Sequence, residues 1–99
     1  MKKLLFLFVM VYAIKLHIEG KVQGVNYRYS AMQQAISLQL CGWVKNNADG
    51  TVSAHVEGPK EIVELFITWC KQGPSDAQVL HVEIENAEPE NFSEFKIIR

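Results

Sequence analysis

From residue 12 onward apolar and polar positions alternate: Tyr12, Ile14, Leu16 and Ile18 share one side, and Lys15, His17 and Glu19 share the other. A period of two marks a half-buried strand. After a glycine-bearing loop the period changes. In "YRYSAMQQAISLQL", Tyr27, Ala31, Ala35 and Leu38 recur at helical spacing, with Met32 and Ile36 widening the stripe, which predicts an amphipathic helix. Gly42 is expected to end this excursion. "WVKNN" and "TVSAHVE" then read as two strands joined at Ala48, Asp49 and Gly50, since Asp-Gly is a strong hairpin signal, and Val52, Ala54 and Val56 should point inward. A second helix is punctuated by Pro59 in its first turn and Gly73 after its last, with Ile62, Phe66, Trp69 and Cys70 along one face. Two strands close the pattern: "QVLHVEIE", in which Leu80, Val82 and Ile84 alternate with His81, Glu83 and Glu85, and a short "FSEFKIIR".

The predicted order is therefore β-α-β-β-α-β with a short final strand. Two excursions through helices around a hairpin imply a mostly antiparallel sheet with both helices on one face, an α+β ferredoxin-like split β-α-β sandwich. The other face is expected to meet solvent. That fold hosts many functions, so a site must decide among them.

Composition narrows the field. Ninety-nine residues, 48% of them hydrophobic, suit one domain with one core. A formal net charge of −1 gives no general attraction to nucleic acid or anionic membrane, so any anion site must be local. Cys41 and Cys70 lack metal or redox spacing and read as small buried side chains. The N-terminus is ambiguous. "MKKLLFLFVMVYA" has two lysines, an apolar run and small residues at Val11 and Ala13, like a short signal peptide, yet cleavage after Ala13 would trim the first strand. The run is shorter than the ~20 apolar residues a membrane-spanning helix needs, so no stable membrane association is expected. Residues 1–9 are taken as an extension, or the start of a signal-like segment, before a domain over 10–99, with Met10 as an alternative start. The expected location is cytoplasmic, with export as the alternative.

The candidate chemistry lies in "GKVQGVNYR", residues 20–28. A glycine-bearing turn feeding a helix N-terminus exposes backbone N–H groups, and the helix dipole adds partial positive charge, which favours an anion. Arg28, in the first helical turn, sits where the dipole disfavours a cation, so a negative partner would offset the cost, and Lys21 adds positive charge nearby. A Walker A loop would place Lys five residues after Gly20, where Val25 stands. A phosphatase with a cysteine nucleophile would place Cys six residues before Arg28, where Val22 stands.

"GKVQGVNYR" followed by "GWVKNNADGTV" resembles the paired signatures of acylphosphatases. "EGP" at the second helix, a Trp near its end and a final "FKI" extend the resemblance over residues 12–99. It implies hydrolysis of acyl phosphates, small-molecule mixed anhydrides of a carboxylic acid and phosphate, by a monomer without metal, other cofactor or covalent intermediate. It further implies that Arg28 binds the phosphoryl oxygens with loop amides contributed by Gly20, Lys21, Val22, Gln23, Gly24, Val25, Asn26 and Tyr27, and that Asn46 positions the attacking water. The chemistry suits those residue types: Arg offers a planar fork of donors, and the Asn amide can orient water without acting as a base. The chain departs from the usual pattern at Asn26, where Gly or an aromatic is common, at Tyr27, where Phe is commoner, and at Gln39, where Gly is frequent. Gln39 would strain the helix end if that position needs positive φ. Asn47 is expected to point to the opposite face from Asn46 in a structural role.

Other constellations read as surface. His17, His55 and His81 fall on the outer side of their strands and are taken as solvated rather than as metal ligands. Glu83, Glu85, Glu88 and Glu90 read as a charged edge that resists aggregation. Ser30 has no local His to activate it. The open face, with Lys15, His17, Glu19, Ser53, His55 and Glu57, offers no stacking platform for nucleic acid. The competing reading is a non-catalytic ferredoxin-like module that binds an anion or another small ligand.

Overall fold

The computed structural model describes residues 11–99. Segment 1–10, on which the extension, the alternative start and most of the signal-like reading rest, lies outside the described residues. Seven elements follow in chain order: β1 (Tyr12–Lys21), α1 (Tyr27–Ser37), β2 (Cys41–Asn46), β3 (Val52–Gly58), α2 (Lys60–Gln72), β4 (Gln78–Asn86) and β5 (Phe95–Ile98). The strands form one sheet in the order β4-β1-β3-β2-β5. Three neighbouring pairs are antiparallel, and β5 joins β2 in parallel.

Helix α1 lies over β2 and β5, and α2 over β4, β1 and β3. Between sheet and helices sit the inward positions of the alternating strands. Ile14, Leu16 and Ile18 of β1, Val44 of β2, and Val52, Ala54 and Val56 of β3 are buried with Ala31, Ala35, Val63, Phe66 and Cys70 from the helices. Each large side chain in this layer contributes roughly 1.5–3 kcal/mol by leaving water. The predicted α+β, ferredoxin-like arrangement is the one observed. Ile36, expected to widen the buried stripe of α1, is exposed instead, and Val63 joins the core.

The end of α1 is set by Gln39, not by Gly42. Gln39 N–H donates to the Ile36 carbonyl and Leu40 N–H to the Ala35 carbonyl, at 2.9 Å each, the pair of bonds that closes a Schellman motif. Gln39 takes φ 59° to do so, the left-handed conformation the motif requires. Gly42 falls inside β2, between Val56 of β3 and Phe95 of β5.

The alternation expected in β4 also fails at one point. The β1–β4 register shifts between Glu19 and Gly20, so Glu19 faces His81 while Gly20 faces Val79. Leu80 is the extra residue of this bulge and is 74% exposed, while Val79 and Val82 pack against the core. Gly20 makes the bulge possible. At φ 131°, a Cβ there would lie 2.1 Å from the Gln78 carbonyl oxygen, so only glycine allows β4 this close.

The largest departure concerns the face away from the helices. Strands β4 and β5 are opposite edges of the sheet, so the connection 87–94 must cross from one edge to the other. It is fastened strand by strand. Ala87 N–H donates to Ala13 O of β1 at 3.0 Å, the N–H groups of Glu90 and Phe92 donate to the Glu57 carboxylate of β3, and Gly42 N–H of β2 donates to Glu94 O at 3.0 Å. Beneath it His55 and Glu57 are 0% and 4% exposed, not solvated as their outward register suggests. His55 Nε2 lies 2.7 Å from Glu57 Oε2, and its ring packs between Trp43 and Phe92. Trp43, an aromatic on the face expected to lack one, faces His55 across β2 and β3. Burial alone would raise the Glu57 carboxyl, but hydrogen bonds from Glu90 N–H, His55 and Phe92 N–H outweigh it and hold the group below its usual range. Glu83, Glu85, Glu88 and Glu90 are all exposed, as expected, but only Glu83 and Glu85 lie on edge strand β4, while Glu88 and Glu90 sit in the crossing segment, the Glu90 carboxylate 3.9 Å from His55 Nδ1.

Candidate active site

Strands β1 and β2 both run antiparallel to β3, and β5 runs parallel to β2, so all three finish at the same end of the sheet. The loop 22–26, the tip of the β2–β3 hairpin and the residue after β5 therefore converge there. Around them is a cavity of about 360 Å³ lined by Val22, Gln23, Gly24, Asn26, Tyr27, Arg28, Tyr29, Asn46, Ile97 and Arg99. That volume is at the small end for ligand pockets.

Local geometry shapes the loop for exposing its backbone. Gly24 has φ 74° with nothing within 4 Å of where a Cβ would be, so glycine is needed there for conformation and not for space. Asn26 is the N-cap residue of α1 and is left-handed, at φ 66° and ψ 24°. Asn is among the few non-glycine residues that adopt this conformation readily, which explains how it stands where glycine is common. Its side chain makes no cap, and the first turn of α1 holds no acid. The leading N–H groups of the helix are thus left without the usual side-chain acceptor, next to the cavity.

Two ties hold this loop in place. The Gln23 side-chain amide donates to the carbonyls of Asn47 and Thr51, at 2.8 Å each, which fastens the loop to the hairpin. At the other end Tyr27 is buried, and its hydroxyl donates to the Cys70 carbonyl at 2.8 Å. Cys70 is in the last turn of α2, where carbonyls lack a helical partner, so this bond satisfies an orphan acceptor. Burial drives the Tyr27 hydroxyl far above its ordinary pKa and pushes the Cys70 thiol up to about 12. Neither is a nucleophile at neutral pH. Both cysteines are free, Cys70 buried and Cys41 half-buried.

Arg28 and Asn46, from α1 and the end of β2, line the same cavity. No acidic side chain lines it, and among the described residues none forms an ion pair with Arg28. The Asn46 side-chain oxygen is buried without a hydrogen-bond partner. A buried acceptor left open costs roughly 1–3 kcal/mol unless something fills it. Asn47 has the opposite environment. Its amide donates to Thr51 Oγ1 at 2.9 Å and Ser53 Oγ at 2.7 Å on the face away from the helices, in the structural role expected of it.

Of the loop residues singled out from sequence, Gly20, Lys21 and Val25 do not line the cavity. Gly20 serves the bulge, Lys21 ends β1 facing Gln78 with its side chain exposed, and Val25 is buried in the core. Tyr29, Ile97 and Arg99 line it without having been singled out. Tyr29 adjoins Arg28 in sequence. The other two arrive through the pairing of β5 with β2, which has no local signal. Among the described residues no group of three or more His, Cys, Asp or Glu, His17, His55 and His81 included, could hold a metal ion.

Comparison with known proteins agrees with this fold. The acylphosphatase family model matches residues 14–97. The chain belongs to the acylphosphatase family. It is 47% identical to the acylphosphatase of Thermococcus kodakarensis over 83 residues, covering 84% of this chain and 91% of that one. Among solved structures it is similar to the acylphosphatase of Bacillus subtilis, with a TM-score of 0.87 and 31% identity over 91% of this chain and 100% of that one. It is likewise similar to an acylphosphatase from Coxiella burnetii, with a TM-score of 0.86 and 35% identity over 89% and 93% of the two chains. The segments 20–28 and 42–52, which carry the sequence resemblance, contribute Val22, Gln23, Gly24, Asn26, Tyr27, Arg28 and Asn46 to the cavity.

Proposed function

We propose that this chain hydrolyses acyl phosphates to a carboxylate and inorganic phosphate by direct attack of water on phosphorus. Arg28 and the N–H groups at the start of α1 hold the phosphoryl oxygens, and Asn46 orients the water. The observation that carries this reading is that Asn46, whose side-chain oxygen is buried without a hydrogen-bond partner, lines the same small cavity as an arginine without an acidic partner. The water oxygen forms a bond to phosphorus as the bond from phosphorus to the acyl oxygen breaks. The electron pair leaves with the carboxylate, and the water's proton passes to a phosphoryl oxygen or to solvent. An acyl phosphate has a good leaving group, so the main demands are in-line placement and stabilisation of charge on the equatorial oxygens. Asn46 accepts a hydrogen bond from the water and sets its direction, while Arg28 presents paired donors to the phosphoryl group.

The reading takes the protein to be a monomer acting on a small molecule in the cytoplasm without metal, and a net charge of −1 supports a role away from nucleic acid. No helix among the described residues is long and apolar enough to cross a membrane. The test is hydrolysis of benzoyl phosphate with excess chelator, comparing wild type with Asn46→Ala and Arg28→Ala. Asn46→Ala should lower kcat by a factor on the order of 10²–10³ with little change in phosphate affinity, as for a removed transition-state contact. Arg28→Ala should lose both affinity and rate. Near-native kcat in Asn46→Ala would remove its assigned role. A folded wild-type protein that binds phosphate without turnover would identify a silent anion-binding module instead.

A further inference from the structure

The geometry points to Arg99 as a second phosphoryl-binding residue, delivered to the Asn46 side of the cavity by β5. In the parallel ladder Val44 faces Ile97 and Lys45 faces Ile98. Continuing that register by one residue sets Asn46 beside Arg99, with their backbones about 5 Å apart as in any neighbouring strands. Alternation places both on the side of Val44 and Ile97, the side packed against the core and covered by α1. Both line the cavity that Arg28 also lines.

The electrostatics give this placement its meaning. Two arginines line a small cavity that no acidic side chain lines, in a protein whose net charge is −1. Arg28 forms no ion pair with an acidic side chain among the described residues, and neither does Arg99. Two like charges facing one space repel unless an anion lies between them, and a phosphoryl dianion provides one. Arg28 approaches from the helix and Arg99 from the sheet edge. Together they can share the three non-bridging oxygens that one planar fork cannot reach.

This inference rests on the acylphosphatase reading for its substrate, but its test reads phosphate binding separately from turnover. The binding of inorganic phosphate to wild type, Arg99→Gln and Arg99→Lys would be measured by calorimetry at low and high salt, beside KM and kcat for benzoyl phosphate and the thermal midpoint. Arg99→Gln should weaken phosphate binding on the order of tenfold, the value of one charge-assisted hydrogen bond. KM should rise by a similar factor, with a much smaller change in kcat and a shallower salt dependence, and Arg99→Lys should keep part of the affinity. Phosphate affinity unchanged in a folded Arg99→Gln variant would overturn the proposal. So would an equal loss in the Gln and Lys variants that tracks a lowered thermal midpoint, because that is the signature of a structural role. A wild type without turnover would defeat the hydrolase reading, while the phosphate measurements would still decide the role of Arg99.

Discussion

Replacing Glu57 with Gln should show how far the segment 87–94 depends on one buried charge. Glu57 is 4% exposed and accepts from Glu90 N–H, Phe92 N–H and His55. Hydrogen bonds to a charged acceptor are worth about 1.5–3 kcal/mol each, against roughly 0.5–1.5 kcal/mol for neutral ones. The Gln carbonyl can keep some of these bonds at neutral strength, but its NH₂ group must then face a donor. The expected loss is about 2–4 kcal/mol, which for a domain of this size lowers the thermal midpoint by about 4–8 °C per kcal/mol. The pH dependence supplies a second check. Because the folded pKa lies below the ordinary glutamate value of 4.5, the stabilisation is fully present above about that pH and is lost as pH falls through the folded value. Urea unfolding followed by tryptophan fluorescence, repeated from about pH 7 to about pH 3.5, measures both. A variant within about 0.5 kcal/mol of wild type at neutral pH would refute the reasoning, as would a gap that does not narrow below about pH 4.5.

Two further changes have opposite signs. Gln39→Gly should stabilise the fold by roughly 0.5–1 kcal/mol, since relief of the left-handed strain at φ 59° exceeds the added backbone entropy of glycine, and a raised urea midpoint with unchanged slope would show it. Gln23→Ala should cost about 1–2 kcal/mol by removing two bonds between loop and hairpin, and should lower kcat/KM as the loop loosens; native kcat/KM in this variant would separate the tie from the site.

What could be read from sequence was what is encoded locally. The periods of two and 3.6 placed β1, α1, β3 and α2, and the Asp-Gly pair placed the hairpin. The loop of residues 20–28 declared itself through its glycines and Arg28, while Asn46 came in only through the resemblance of "GWVKN" to the acylphosphatase signature. Gln39 was legible as a candidate for strain because the acylphosphatase pattern frequently has Gly there, and its φ of 59° bears that out. Its Schellman bonds, which stop α1 at Ser37, well short of Gly42, needed the backbone itself.

The features that escaped share one cause, which is pairing between distant residues. Leu80 is exposed because Gly20, sixty positions earlier, admits a bulge that shifts the β4 register. His55 and Glu57 alternate outward as surface residues do, and are buried only because β4 and β5 take opposite edges and force segment 87–94 across them. That same crossing bears on the site. It ends where Gly42 N–H meets Glu94 O, and β5 begins at once with Phe95 beside Gly42. From that point β5 has only the span to Ile98 in which to reach the cavity end of the sheet, so any slip at its start moves Ile97 and Arg99 by the same number of residues. Glu57, at the far end of the sheet from the cavity, thus helps fix the register that sets Arg99 beside Asn46. The buried charge is then a positioning device as well as a stabilising one, and Glu57→Gln should weaken phosphate binding together with stability at neutral pH.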